Sequence, residues 1–414
     1  MTLEATKSKK VPRLRFPGFS GEWEEKTLGD VSDVKGGKRI PKGFSLLTQD
    51  NGHPYVTVSG MVNGGIDMKE VKFVPEPVIN SINNYTISSE DIYVSVAGTL
   101  GLVGAVPKIL DGANLTENAD KLTNLKVNRN YLLQLLRSDR FKKLVRNVKT
   151  DNAQPKLAIY ALKGFALSLP RTEEQEKIAS FLGVMDDKIA AIQSKSELLE
   201  KYKKGIMQAI FSQKIRFKDE EERNYPDWQE KTLGDFASFL KGKGISKEDI
   251  TESGAIKCIR YGELYTGYTE VIKSIKSKTN LDPSGLVFSK LNDVIIPASG
   301  ETSIDIATAS CVLQDGVALS GDINIIRTKQ NGVYLAYYLT SAKNLDIVRL
   351  AQGNSVVHLY PSQLKDLDIK IPSTEEQQKI ADFLTSIDEK INLAEDELEQ
   401  AKKFKEALLQ QMFV

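Results

Sequence analysis

The chain has 414 residues, 41% hydrophobic and 27% charged, with a formal net charge of +1; that leaves room for two or three domains and excludes a disordered or fibrous chain. No apolar run approaches the roughly eighteen residues of a membrane-spanning helix, and the opening MTLEATKSKKVPRLRFPG is basic with no apolar block behind it, so it reads as a frayed lead-in (residues 1–11) in a cytoplasmic protein. A near-balanced charge decides nothing about nucleic acid, because a DNA-binding face needs only a local basic surface. Cys258 and Cys311 stand in strand-like apolar runs and read as core residues, while His53 and His358 lie far apart, which leaves no disulfide framework and no metal-ligand spacing.

Residues 12–170 open on W-E-E-K-T-L-G-D-V (Trp23 to Val31) and continue through short β-branched and aromatic runs, Tyr55-Val56-Thr57-Val58 and Ile92-Tyr93-Val94-Ser95-Val96, separated by Gly/Asn/Asp turns. That texture predicts a mixed α/β domain with Trp23 in its core. Lys35-Gly-Gly-Lys38-Arg39 follows the opening strand; glycine lets backbone N–H groups approach a phosphate and the cations supply charge, so Lys35, Lys38 and Arg39 are candidates for DNA contact. Ser59-Gly60, directly after the run at Tyr55, adds Ser59. Further on, L-R-S-D-R-F-K-K-L-V-R-N-V-K sets Arg137, Arg140, Lys142, Lys143, Arg146 and Lys149 against one acid, Asp139. Leu136, Phe141, Leu144 and Val145 fit its buried face, so the cations are expected outward, either along phosphates or as a plain solvated face. The loop Asp151-Asn-Ala-Gln-Pro-Lys156 then offers Asn152, Gln154 and Lys156 to base edges or phosphates, or serves as a simple connector.

Residues 171–214 have no internal proline and a steady helical period. Thr172-Glu-Glu-Gln175 fits a capping box at the helix start. In heptads the apolar seam reads Leu182, Met185, Ile189, Ile192, Ser196, Leu199, Lys203, Ile206 and Ile210, at alternating spacings of three and four. Such a narrow stripe suits a helix partner better than a broad core, although packing on its own globular domain is the alternative.

The remainder repeats this order: a mixed domain over residues 215–372 and a helix over 373–414. W-Q-E-K-T-L-G-D-F (Trp228 to Phe236) restates the first opening, and P-S-T-E-E-Q-Q-K-I-A-D-F-L (Pro372 to Leu384) restates Pro170 to Leu182, displaced by 202 positions (372 − 170). Lys241-Gly-Lys243-Gly matches the earlier Gly-Lys loop, Tyr261-Gly262 follows the strand-like Ile256 to Arg260, and Gln352-Gly-Asn-Ser-Val-Val-His358 takes the place of the polar loop. Lys241, Lys243, Tyr261, Arg349, Gln352, Asn354, Ser355 and His358 are therefore the second set of candidates. The second seam reads Leu384, Ile387, Ile391, Ala394, Leu398, Ala401, Lys405, Leu408 and Met412, interrupted at the same lysine as the first. A unit this long is a duplicated module, not a stacked array. Each seam runs about thirty residues, or some 45 Å, so the two helices are expected to pair with one another. Identity between the copies concentrates at the opening strands and helices, whereas Ile40 to Asn80 and Ile245 to Asn280 have drifted apart.

Catalytic signatures are absent: there is no (D/N/S)-P-P-(Y/F) motif and no G-x-x-x-x-G-K-(S/T) loop, and Gly242-Lys-Gly244 lacks the third glycine of a dinucleotide fold. No nucleophile with its base is evident.

With these residues in view, the chain resembles the specificity subunits of type I DNA restriction-modification systems. The resemblance rests on the two L-x-L-P-x-T-E-E-Q-x-K-I-A-x-F-L segments (Leu167 to Leu182, and with I-x-I-P from Ile369 to Leu384), the two W-x-E-K-T-L-G-D openings, and the alternation of domains and helices from about residue 12 onward. It implies an α+β fold, two mixed α/β target-recognition domains separated by two long antiparallel coiled-coil helices in a pseudo-two-fold internal repeat. It further implies a non-catalytic subunit that reads a bipartite, asymmetric site on double-stranded DNA, one half per domain, while the helices set the gap and dock two methyltransferase subunits. Restriction-translocase subunits would complete the complex, and S-adenosylmethionine, ATP and Mg would belong to partners, with no cofactor in this chain. The competing class is a coiled-coil scaffold whose globular domains bind protein; it would show no salt-dependent DNA affinity.

Overall fold

The computed structural model describes residues 11–147, 156–351 and 357–414. The chain forms two compact units, Met1–Ile192 with Asp396–Val414, and Gln193–Glu395. The boundary cuts through both long helices, Thr172–Phe211 (40 residues) and Thr374–Met412 (39 residues). Each unit therefore holds one lobe, the start of one long helix and the end of the other, packed antiparallel.

Both lobes are built on the same plan. In the first, an antiparallel sheet runs in the order Asp33–Gly36, Ala119–Thr123, Ile92–Ser95, Val103–Ala105. The second lobe orders Ala237–Lys241, Ile323–Thr328, Asp293–Pro297, Ser310–Val312 in the same way and adds Val271–Ile272 at the edge. A second four-stranded sheet in each lobe contains one parallel pair, Pro54–Val56 with Ala113–Leu115 in the first and Ile256–Ile259 with Ala318–Leu319 in the second. Strand residues such as Ile92, Tyr93 and Val94, and their counterparts Val294, Ile295 and Ile296, are fully buried, as sheets covered on both faces require. Cys258 and Cys311 lie in these cores, where burial pushes their thiols up to about 11 and about 12.

The repeated E-K-T-L-G-D has a structural role. Glu24–Thr27 pairs antiparallel with Ala166–Leu169, the strand that leads into the first long helix, and Gln229–Thr232 pairs likewise with Asp368–Ile371. At the turn that follows, Thr27 N and Oγ1 donate to Asp30 at 2.7 Å, and Thr232 N donates to Asp235 at 2.7 Å. The phrase thus ties the beginning of each lobe to its end.

The helix starts differ from the expected capping box. Thr172 and Thr374 are already helical and exposed, and in the second copy Ser373 Oγ takes the Glu376 N–H at 3.3 Å. The rest of T-E-E-Q is an anchor. Gln175 Oε1 accepts from Asn128 N at 3.0 Å while its Nε2 donates to Pro170 O at 2.9 Å; Gln377 does the same with Asn331 N and Pro372 O, both at 3.0 Å. Asn128 and Asn331 in turn cap the lobe helices Arg129–Leu136 and Gly332–Ser341. Buried Glu174 receives both Arg15 Nε and Nη2 at 2.7 Å, and buried Glu376 receives Arg216 at 3.2 and 2.8 Å plus Trp228 Nε1 at 3.0 Å. Residues 14–16, at the start of the first lobe, are docked: Leu14 N donates to Gln411 O and Phe16 meets Phe181 edge to face at 5.5 Å.

One buried polar pair distinguishes the lobes. Asn324 Nδ2 donates to Leu359 O at 2.9 Å while its Oδ1 has no partner among the described residues; its counterpart Asp120, a carboxyl, has an Oδ2 with none. Burial pushes the Asp120 carboxyl up to about 6 from 3.8. Its ionised form costs stability fully above pH 6, and that cost disappears as the pH falls toward 3.8, where folded and unfolded chains bind the same proton. Asp120→Asn, which recreates the second lobe's side chain, is expected to stabilise the protein by on the order of 2 kcal/mol at pH 7, with the gain fading at acid pH; urea unfolding of both proteins across this range is the measurement. Removing the buried carboxylate of the second anchor is expected to do the opposite. Glu376→Ala should cost about 3–5 kcal/mol by stranding Arg216, against less than about 0.5 kcal/mol for the exposed Glu176→Ala, read from the same unfolding midpoints.

Candidate nucleic-acid interface and helix faces

The two Gly-Lys loops superpose in their bonding. Gly37 N donates to Ala119 O and Lys38 N to Leu115 O; Gly242 N donates to Ile323 O and Lys243 N to Leu319 O. A Cβ at Gly37 would lie 2.2 Å from Thr116 O, and one at Gly242 would lie 2.0 Å from Ser320 O. Glycine is therefore needed for close approach of two backbone segments, and the amides expected to face a phosphate are already used inside the lobe. What the loops present outward is side-chain charge: Lys35, Lys38, Arg39, Lys241 and Lys243 are all exposed. Lys38 lies over the Tyr85 ring at 5.6 Å and Arg39 pairs with Glu117.

The basic segment meets its expectation of outward cations at Lys142, Lys143 and Arg146 and departs from it at Arg137 and Arg140. Arg137 turns inward onto Asp186 of the long helix, at 2.9 and 3.3 Å, and its side chain is only 18% exposed. Arg140 reaches Ser168 Oγ at 3.2 Å, and Lys142 lies 3.5 Å from Asp139 and 3.6 Å from Glu406. Within the helix Asp139–Asn147, Arg140 is half-buried and Lys142 is exposed, touching a long helix only through Glu406. Lys143 and Arg146 stay exposed with no ion pair among the described residues. In the second lobe Arg349 is exposed beside Asp346.

Ser59 sits exposed in the turn Val58–Gly60, its hydroxyl 2.8 Å from Thr57 Oγ1. Tyr261 opens the helix Tyr261–Thr266, half-buried, with its ring 6.5 Å from Tyr265. The first lobe has the hairpin of Met61–Val62 with Gly65–Ile66 at this point, so the two drifted segments differ in kind of structure. Lys156 is exposed, and His358 Nδ1 lies 3.1 Å from Ser299 Oγ. Lys149, Asn152, Gln154, Gln352, Asn354 and Ser355 lie outside the described residues. Sequence reading passed over Tyr160, 82% exposed beside Lys156, and Tyr360, whose ring tilts over His358 at 6.3 Å. Both stand in short, largely apolar runs, L-A-I-Y-A-L and V-V-H-L-Y-P, which read as core sequence. Arg260, next to Tyr261, was missed as well; its Nε is buried with no partner among the described residues.

Along the long helices every seam position is buried or half-buried. In the first unit Leu182 joins Leu408 and Met412 in one core with the lobe, and half-buried Met185 packs against it. In the second, Leu199 and Ile206 pack against a core of Ile210, Leu384, Ile387 and Ile391. Ile189, Ile192 and Leu398 are half-buried. The seam thus faces both the partner helix and the lobe. The lysines that break it are paired: Lys203 Nζ lies 2.7 Å from both Asp388 and Glu270, and Lys405 bonds to Asp186. Burial pulls on the Lys203 ammonium, but the two carboxylates offset it and hold its pKa above the usual value. Lys405, buried and facing Arg137 as well as Asp186, is held below it. With Lys203 and Lys405 at heptad position a, the exposed large hydrophobic residues of these helices, Val184, Leu198, Tyr202, Leu393 and Phe404, all fall at c or g. The acids Asp186 and Asp388 fall at e, the flank toward the lobe.

No helix of the described residues is long and apolar enough to cross a membrane, and no His/Cys/Asp/Glu group among them could hold a metal ion. The family model for the type I restriction modification DNA specificity domain matches twice, over residues 20–201 and 225–403. The putative type I restriction enzyme MjaX specificity subunit of Methanocaldococcus jannaschii is 25% identical, covering 98% of this chain and 96% of the relative. The MjaVIII specificity subunit of the same organism is 24% identical over 97% and 93%. Among solved structures, the type I restriction-modification S subunit from M. genitalium superposes with a TM-score of 0.61 at 18% identity, covering 98% of this chain and 99% of that one. With a duplicated match spanning most of its length and the same fold, the chain belongs to the type I restriction-modification specificity subunit family.

Proposed function

We propose that this chain gives a type I restriction-modification complex its sequence specificity, each lobe reading one half of a bipartite, asymmetric double-stranded DNA site. The observation that carries this reading is the contrast within one chain. Two lobes share sheet order and anchoring, yet present a hairpin in one and a helix in the other where the strands at Tyr55 and Ile256 end. A shared scaffold with unlike outer surfaces suits two unlike half-sites. The exposed cations Lys35, Lys38, Arg39, Lys241 and Lys243 then hold phosphates, while the surfaces around Ser59, Tyr261, Arg260 and His358 approach base edges. Tyr160 and Tyr360 are placed for stacking or sugar contact. Methylation, translocation and cleavage come from partner subunits carrying S-adenosylmethionine, ATP and Mg.

The long helices set the gap between half-sites and dock two methyltransferase subunits. Tyr202 and Phe404 support one docking point on each long helix: they are counterparts in the repeat, both at g, and 52% and 55% exposed. Exposed aromatic side chains at matched positions on otherwise solvated helices mark contact surface.

Tyr202→Glu and Phe404→Glu are each expected to remove one methyltransferase copy from the assembled complex, and together both copies, as counted by native mass spectrometry. Lys38→Ala and Lys243→Ala should weaken binding to all DNA sequences alike and lower the salt slope of the affinity by roughly one each; unchanged slopes in fluorescence titrations would remove these lysines from the phosphate contacts. Inserting one heptad into each long helix should lengthen the gap and leave both half-sites as they were, mapped by the positions methylated in the reconstituted complex.

A further inference from the structure

The second unit contains a cavity of about 640 Å³ where the end of the first long helix meets the lobe, lined among others by Glu200, Lys203, Glu270, Thr340, Asp388 and Glu395. Its charged lining holds four acids, Glu200, Glu270, Asp388 and Glu395, against two cations, Lys203 and Lys204. At its base Lys203 is shared by Glu270 and Asp388, three side chains that are 11–14% exposed and sum to one negative charge. Both Asp388 oxygens are engaged, by Lys203 and the Tyr337 hydroxyl, whereas among the described residues Glu270 is engaged at Oε2 alone, by the lysine.

The first unit shows what the same place holds when it is filled. There the helix carboxylate is Asp186, the counterpart of Asp388, and it carries two cations, Lys405 and Arg137. Counting from the paired tyrosines Tyr131 and Tyr334, the residue in Arg137's position is Thr340, which lines the cavity. The Arg137 guanidinium packs over Gly64, with its atoms 3.4–3.5 Å from where a Cβ would stand. The first unit supplies its own guanidinium; the second replaces it with a threonine and an added acid, and leaves a cavity.

We propose that this cavity receives an arginine side chain from a protein docked on the second unit, the guanidinium pairing with Glu270 and the rim acids Glu200 and Glu395. The proposal rests on the reading of the helices as a docking surface and specifies the chemistry of one docking point. The net negative lining disfavours a nucleic-acid phosphate there, and a planar, fork-shaped cation matches an open carboxylate better than an ammonium does. The two docking points are then unequal, because in the first unit the chain's own Arg137 already holds the equivalent carboxylate, Asp186.

Two arms test this on the full-length chain. Crystals are soaked with Nα-acetyl-arginine-methylamide; the guanidinium is expected against Glu270 in the wild type and absent from Thr340→Arg, whose own side chain fills the space. Separately, the wild type, Glu395→Gln, Glu270→Gln and Thr340→Arg are titrated with the methyltransferase subunit. Glu270→Gln and Thr340→Arg should weaken the copy on the second unit about tenfold or more, Glu395→Gln less, with the copy on the first unit unaffected in all three. No probe in the cavity together with wild-type assembly of both Glu270→Gln and Thr340→Arg would overturn the proposal. If the wild type binds no methyltransferase subunit, the docking reading falls, and an empty cavity in the soak would take this inference with it.

Discussion

Two lysine–aspartate pairs govern how the long helices meet. Lys203 and Lys405 interrupt the apolar seams at the same heptad, and each is met within its own unit by an aspartate of the opposite helix, Asp388 and Asp186. A buried ion pair adds little net stability, since desolvation takes back most of the Coulomb gain, but breaking one costs on the order of 3–5 kcal/mol. Sliding one helix by a heptad would break both at once. The seam of Leu, Ile and Met tolerates several registers, and the charges select one.

That register is carried into the lobes by the T-E-E-Q anchors. Gln175 and Gln377 hold the first amides of lobe helices through Asn128 and Asn331, and Glu174 and Glu376 hold arginines that precede each lobe by sequence and close it in space. The opening strand then pairs with the strand that enters the long helix. Each lobe is therefore fastened at its beginning, its middle and its end to the first turns of one helix. Loops far from that fastening are released from scaffold duty, and the two lobes differ most in such loops.

The parts of this architecture legible in the sequence are those with local periodicity or literal repetition. The seams, the starts of the long helices and the duplicated openings depend on residues a few positions apart, and the structure has them. What escaped depends on partners remote in sequence. T-E-E-Q has the spacing of a capping box, and only the arginine 159 or 160 positions away, paired with its buried glutamate, reveals its other use. Arg137 reads as surface charge until Asp186, 49 positions on, is seen beside it. The Gly-Lys loops read as phosphate cradles because glycine leaves an amide open, yet strands some 80 residues later take those amides. Composition records that a group is polar; it does not record which long-range partner reaches it first.

The pattern of likeness between the copies follows from which contacts join them. Lys203 of the first copy is paired with Asp388 of the second, and Lys405 of the second with Asp186 of the first, so a change at either position leaves a charge stranded in the other copy. The side chain that flanks the Lys405–Asp186 pair from within one copy, Arg137, carries no such tie. Arg137 reaches Asp186 from its own copy, while Glu270 reaches Lys203 where the second copy meets the end of the first helix, and these flanking positions have come to hold opposite charges. A duplicated chain held this way keeps its frame alike where the two copies grip one another.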